Sequence, residues 1–397
     1  MSEFLVLRNA AARRTASAFD GINPGVATTF AQPAPEPQVE THDMSLNEVV
    51  SAARDPEVAA VAIPMPIRLI APLGEEAEAA AAGDAWGIAA VKADTSPVSG
   101  DGVVVSVLDT GIDKDHPAFS GVTIVEKDFT GSGNGDRNGH GTHCAGTIFG
   151  RDVDGKRIGI ARGVKKALIG KVLGDSGGGS SEMIFRGIQW ALDEGAHVIS
   201  MSLGFDFPGA VKRMTDSGIP TEPAVSGALE AYRSNLRFFD ALMAMVKAKA
   251  AFQETAVVVA ATGNEARRDK KPPYTIAASL PAAAESVVSV AALARGAQSK
   301  FDIADFSNTM PQVAAPGVDI VSAKAGGGLR SLNGTSMACP HVAGVAALWW
   351  ESLRSAGAVR PTASLVVGNL IARARTDVLT GNATPVDRGS GIVTAPQ

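Results

Sequence analysis

Three short stretches concentrate the side chains that could do chemistry. The first, VVVSVLDTGID, runs an apolar segment into Asp109, where a carboxylate must be partnered or functional to justify its desolvation. The second, NGHGTHCAGT, sets His140 and His143 among glycines and follows them with Cys144. The third, NGTSMACPHVAG, places Ser336, Cys339, Pro340 and His341 just after a glycine. Two chemistries fit these residue types. Histidine and cysteine are natural zinc ligands, so His140, His143 and Cys144 could hold a metal with help from Cys339 or His341. Acid–base catalysis needs only one histidine in the cleft, the other being a packed, hydrogen-bonded core residue. Pro340 forfeits no helical bond in a first turn, which predicts a helix starting at about Ser336. That start puts the serine hydroxyl at the positive end of a helix dipole, where negative charge growing on a substrate oxygen is stabilised.

The elements that must position these residues come from the apolar runs. VVVSVL (103–108), ALIGKVL (167–173), HVISMSL (197–203) and AVVVAAT (256–262) read as buried strands alternating with helical patterns, the mark of a mainly parallel sheet covered by helices. They lead into Asp109, the run Gly177 to Gly179, Gly204 and Asn264. Ligands in open α/β sheets bind beyond the carboxyl ends of the strands, so these four loops should meet at one cleft. The chain has 397 residues, 45% of them hydrophobic and 19% charged, enough for one large domain or two unequal ones. A net charge of -5 gives no electrostatic reason to expect nucleic acid, and no apolar run approaches the roughly 18 residues that span a bilayer. Two cysteines cannot build a disulfide framework, and MSEFLVLRNAAARR is not a secretory signal. A cytoplasmic location is therefore expected, with secretion by another route as the alternative.

An aspartate, a histidine and a serine in this order, each in a glycine-rich signature (DTGID, HGTHCAG, NGTSMACPHVAG), resemble the subtilisin-like serine peptidases from WGI at Trp86 to the closing GSGIVTAP. The resemblance implies a three-layer α/β fold with a mainly parallel central sheet. It implies a serine endopeptidase that hydrolyses proteins or peptides through an acyl-enzyme, with Asp109, His140 and Ser336 as the triad. The segment ATGNE would supply an oxyanion donor at Asn264, joined by the backbone N–H of Ser336. Gly177, Gly178 and Gly179 on one side and Ser202, Leu203 and Gly204 on the other would pair with an extended substrate backbone. His143, Cys144, Cys339 and His341 are then packing residues. Pro281 falls where the family often has a cis proline beside the specificity pocket; no acid is evident near Ala278 and Ser279, which points to a small-to-medium or apolar preference. No cofactor and no metal ligand is implied. Calcium is the one ion to weigh: Asp152 and Asp154 in GRDVDGKRIGI suit it, but Ala118 replaces an aspartate that relatives usually supply.

Two regions depart from a compact member of that family. Residues 205–252 of the catalytic domain (97–397) contain an insertion, in which FDFPGAVKRMTDSGIPTEP reads as an inserted loop and SGALEAYRSNLRFFDALMAMVKAKAAFQ as a long amphipathic helix. It is expected to be a surface elaboration or, alternatively, a lid or exosite. Residues 1–75 suggest a small α+β unit: a strand at FLVL, a linker ending in AQPAPEPQ, a helix from Ser45 with Glu48 at capping-box spacing, and a strand around Val58 to Ile63. Residues 76–96 would link it to the catalytic domain. Family resemblance makes this unit a prosegment, an intramolecular inhibitor with an extended tail, MPIRLIAPLG, and places autocleavage between about Ile67 and Ala85.

Overall fold

A computed structural model describes residues 2–11, 34–78, 85–251, 253–357 and 361–397. Two compact units emerge, and their borders do not follow the order of the chain.

The larger unit takes residues 67–205, 256–283 and 287–397. Its eight-stranded sheet runs Phe301–Ile303, Val287–Arg295, Val257–Ala261, Val198–Met201, Val104–Asp109, Lys166–Lys171, Thr123–Asp128, with Val313–Pro316 branching from Val287–Arg295. Every pairing is parallel except that of Phe301–Ile303. The central strands are Val-, Ile- and Ala-rich and buried on both sides, as a sheet sandwiched between helices requires. On one face, Val105 and Val107 share a core with the helices His140–Phe149 and Thr335–Ser355. On the other, Leu108 meets the helix Ser181–Asp193 at Gly187, where a β-carbon would come within 3.3 Å of it. The result is three layers, with Asp109 at the carboxyl end of a strand flanked by Val198–Met201 and Lys166–Lys171.

All ten residues of the His140–Phe149 helix are buried. Its small side chains let other chains approach closely: a β-carbon on Gly141 would lie 2.2 Å from the Gly111 carbonyl oxygen, and one on Gly146 2.5 Å from Ser322 Oγ. The serine helix begins at Thr335, one residue before the expected start. Pro340 lies beyond the first turn for either start, contrary to expectation, and its missing N–H deprives the Ser336 carbonyl of its helical donor. Two side chains replace that donor: Ser202 Oγ at 3.0 Å and Cys144 Sγ at 3.4 Å.

The smaller unit combines residues of 1–66 with 206–255 and 284–286. Its antiparallel sheet has Ser2–Asn9 between Pro37–Met44 and Val58–Ala62. Phe4 to Leu7 are buried in succession, which suits the middle strand. The linker expected before residue 40 lies partly outside the described residues, and its end, from Pro37, is the start of a strand. The helix Leu46–Ala52 has the expected capping box: Glu48 Oε2 accepts from the Ser45 N–H at 2.7 Å and Ser45 Oγ accepts from the Glu48 N–H at 3.4 Å. The insertion contributes two helices, Phe207–Asp216 and Thr221–Lys249, so the expected inserted loop is corrected to a helix. Asp206 caps it through the Gly209 N–H at 3.1 Å, and Pro208 fits its first turn. The 29-residue second helix packs against the Val58–Ala62 strand. Asn235 Nδ2 donates to the Ile63 carbonyl at 2.7 Å, and the Ile63 N–H donates to Ser234 Oγ at 3.3 Å. The inserted residues and the N-terminal segment thus share one fold.

Candidate active site

Asp109 is fully buried and accepts a 2.7 Å bond from the N–H of Thr110 on Oδ1. The same oxygen accepts from His140 Nδ1 at 2.8 Å. That bond places a proton on Nδ1 and orients the ring, and among the described residues Nε2 has no hydrogen-bond partner. A carboxylate that sequence reasoning missed fixes the backbone here. Asp136 Oδ1 accepts from Thr110 Oγ1 (2.8 Å) and the Gly139 N–H (2.7 Å), while Oδ2 accepts from the Thr142 N–H (2.8 Å) and Oγ1 (2.6 Å). It joins the Asp109 loop to the start of the histidine helix, where negative charge is favoured. An acid four residues before His140, ahead of a buried helix, was the available signal.

Ser336 lies in the first turn of its helix with Oγ donating to the Ile70 carbonyl at 2.8 Å and to that of Ser202 at 3.4 Å. Asn264 is held by Thr335, whose N–H and Oγ1 both donate to Oδ1 at 2.9 Å; its Nδ2 is thereby directed to the Ala71 carbonyl at 3.0 Å. Serine and asparagine thus engage successive carbonyls of a segment from far up the chain.

That segment includes the strand Pro66–Leu69, which lies between Leu203–Phe205 and Gly178–Ser180. It runs antiparallel to the first, pairing Leu69 with Leu203, Arg68 with Gly204 and Ile67 with Phe205. On the other side the Leu69 N–H donates to the Gly177 carbonyl at 2.8 Å. Two of the three glycines are sterically required: Gly177 has φ +81°, and a β-carbon on Gly179 would come within 2.4 Å of the Val172 carbonyl oxygen and 3.1 Å of the Ile67 side chain, whereas one on Gly178 would meet open space. Past Ala71, Leu73–Glu78 continues as a strand beside Leu329–Asn333. The Ile70 side chain lies against Gly204, and the Leu280–Pro281 bond is cis.

The remaining histidines and cysteines are engaged elsewhere. His143 Nε2 donates to the Ile320 carbonyl at 3.0 Å, and burial, with the charge of Arg330 second, pushes its pKa down to about 3. His341 Nδ1 donates to the Met337 carbonyl at 2.8 Å, and burial lowers its pKa to about 4. Burial likewise raises the Cys144 thiol well above its ordinary value, aided by Asp109, and Cys339 to about 11. Among the described residues only Asp109, His140 and Cys144 bring ligand atoms together, and there the histidine is already bonded to the aspartate. In the loop weighed for calcium, arginines engage several of the oxygens. Arg162 spans Asp152 at 3.2 and 3.3 Å, Arg157 donates to the carbonyls of Ala93, Gly159 and Ile160, and Arg151 to those of Phe149, Arg162 and Val164. Guanidinium groups thus already engage one of the two candidate carboxylates, Asp152, and several neighbouring carbonyls.

The profile of peptidase S8, the subtilase family, matches residues 100–383. The chain belongs to the subtilase family. Subtilisin DY of Bacillus licheniformis is 36% identical over 272 residues, 66% of this chain and 83% of that protein. The major intracellular serine protease of Bacillus subtilis is 32% identical over 259 residues, 63% of this chain and 69% of its own length. Subtilisin-like protease 6 of Trichophyton rubrum is 33% identical over 269 residues, which cover 52% of it. This subtilase is accordingly a hydrolase of the serine endopeptidase class. Among its described residues no helix is long and apolar enough to cross a membrane.

Proposed function

We propose that the protein cleaves peptide bonds through Asp109, His140 and Ser336, and that its own residues 67–71 inhibit it by lying in the cleft as a substrate would. The observation that carries this reading is Ser336 Oγ against the Ile70 carbonyl, on a strand aligned by Leu203–Phe205 and Gly177. In turnover, Ser336 Oγ turns to His140 Nε2, gives up its proton and attacks the substrate carbonyl carbon. Asp109 keeps the imidazole oriented and stabilises its charged form. The tetrahedral oxyanion accepts from Asn264 Nδ2 and the Ser336 N–H. His140 then protonates the leaving amine, and water repeats the sequence on the acyl-enzyme. No metal enters any step.

Inhibition rather than rapid self-cleavage follows from how the strand is held. The nucleophile and the oxyanion donor grip different carbonyls, Ile70 and Ala71, whereas attack requires both at one. Protein or peptide substrates compete with this segment, and removal of it by cleavage between about Ile67 and Ala85 would free the cleft. A cytoplasmic site of action agrees with the intracellular relatives.

A fluorophosphonate probe tests the proposal. Labelling in the original chain and its loss in Ser336→Ala is the expected result, with the full-length form persisting in the variant. Chelator-sensitive hydrolysis without labelling would overturn it in favour of metal chemistry.

A further inference from the structure

Glu265 follows the oxyanion donor Asn264 and faces the strand that fills the cleft. Its Oε1 lies 3.1 Å from Arg68 Nη2, and its Oε2 accepts from Asn308 Nδ2 at 2.8 Å. Asn308 is almost wholly buried and clamps the whole loop. Its Oδ1 accepts from the N–H groups of Glu265 (3.1 Å) and Ala266 (3.0 Å), and its Nδ2 also donates to the Thr262 carbonyl at 3.0 Å. One carboxylate oxygen is therefore tethered to a rigid amide while the other is presented to the cleft. The neighbouring Arg267 does not neutralise it, because its Nη1 is turned onto the carbonyls of Asn264 and Ala266 at 2.7 and 2.6 Å.

Arg68 pairs with Gly204 and stands two residues before Ile70, whose carbonyl meets Ser336. We propose that Glu265, positioned by Asn308, selects substrates with a basic side chain at the third residue before the scissile bond. This rests on the reading of Ile67–Ala71 as lying where a substrate lies. Both partners are about half exposed, 48% for Arg68 and 41% for Glu265, so solvent screens the attraction. An exposed pair of this kind is worth roughly two- to fivefold in affinity, and replacing attraction with repulsion widens the contrast to about tenfold.

The test uses the full chain brought to constant activity and fluorogenic peptides with Leu-Ile before the cleaved bond, preceded by Arg, Lys, Gln or Glu. The readout is the ratio of kcat/KM between peptides within each enzyme. In the original chain Arg and Lys should exceed Glu about tenfold, with the contrast shrinking at high salt. Glu265→Gln keeps an acceptor for Asn308 but removes the charge, and should bring the ratio to within about twofold; Glu265→Lys should invert it. A ratio unchanged in Glu265→Gln, or no preference in the original chain, overturns the proposal while fluorophosphonate labelling of Ser336 persists. Absence of labelling overturns the parent reading as well.

Discussion

Acidification should weaken this fold well before its carboxylates titrate, because two histidines are buried neutral. His143 and His341 are held in the folded state with pKa values of about 3 and about 4, against 6.5 for an unperturbed histidine. Between these limits the unfolded chain takes up protons that the folded chain refuses. Stability is therefore full above about pH 6.5 and is lost as pH falls toward 4 and then 3. At pH 5 each histidine contributes a loss of roughly 1.36 × 1.5, about 2 kcal/mol, and the pair about 4 kcal/mol relative to neutral pH. That is a large share of the roughly 5–15 kcal/mol that stabilises an ordinary domain. The assay is urea unfolding at pH 7 and pH 5 in the Ser336→Ala background, which prevents self-digestion during the measurement. His143→Gln combined with His341→Gln should lower stability at pH 7 but remove most of the difference between the two pH values. Equal stability at both pH values in the parent, or an undiminished difference in the double variant, would refute the assignment of neutral, buried imidazoles.

Asn264→Ala should reduce turnover by about a hundredfold or more with little change in KM, the scale observed when this donor is removed from subtilisins themselves; a loss confined to KM would contradict a bond that strengthens only in the transition state. Chelation should leave the thermal midpoint within about 2 °C, because arginines hold the oxygens of the 151–162 loop; a fall of the size expected from losing a site occupied a hundredfold above its Kd, about 2.7 kcal/mol, would show that a cation does bind.

Local patterns made much of this protein legible. The runs that became Val104–Asp109 and Val257–Ala261 needed only their apolar, β-branched composition, and the signatures around Asp109, His140 and Ser336 needed only neighbouring residues. The capping box at Ser45 is likewise complete within four residues. Less local features were read poorly. The end of the tract read as a linker, PQ at 37–38, opens the strand Pro37–Met44 because Ser2–Asn9 is there to pair with it. Phe207–Asp216 was obscured by Pro208 and Gly209, which belong in a capped first turn once Asp206 is seen to close it.

By itself the sequence determined the chemical inventory, the strand and helix material and the close approach permitted by glycine, since each depends on the residue and its neighbours. Tertiary structure alone decided which distant groups meet. It brought Cys144 and Ser202 to the Ser336 carbonyl that Pro340 leaves without a helical donor, joined the insertion to the N-terminal segment through Asn235, and laid Arg68 against Glu265. Those outcomes depend on strand pairing and helix packing between segments separated by as many as 197 residues, as for Arg68 and Glu265. A short sequence pattern cannot encode such pairings, because partner choice minimises the free energy of the whole packed chain rather than that of either segment.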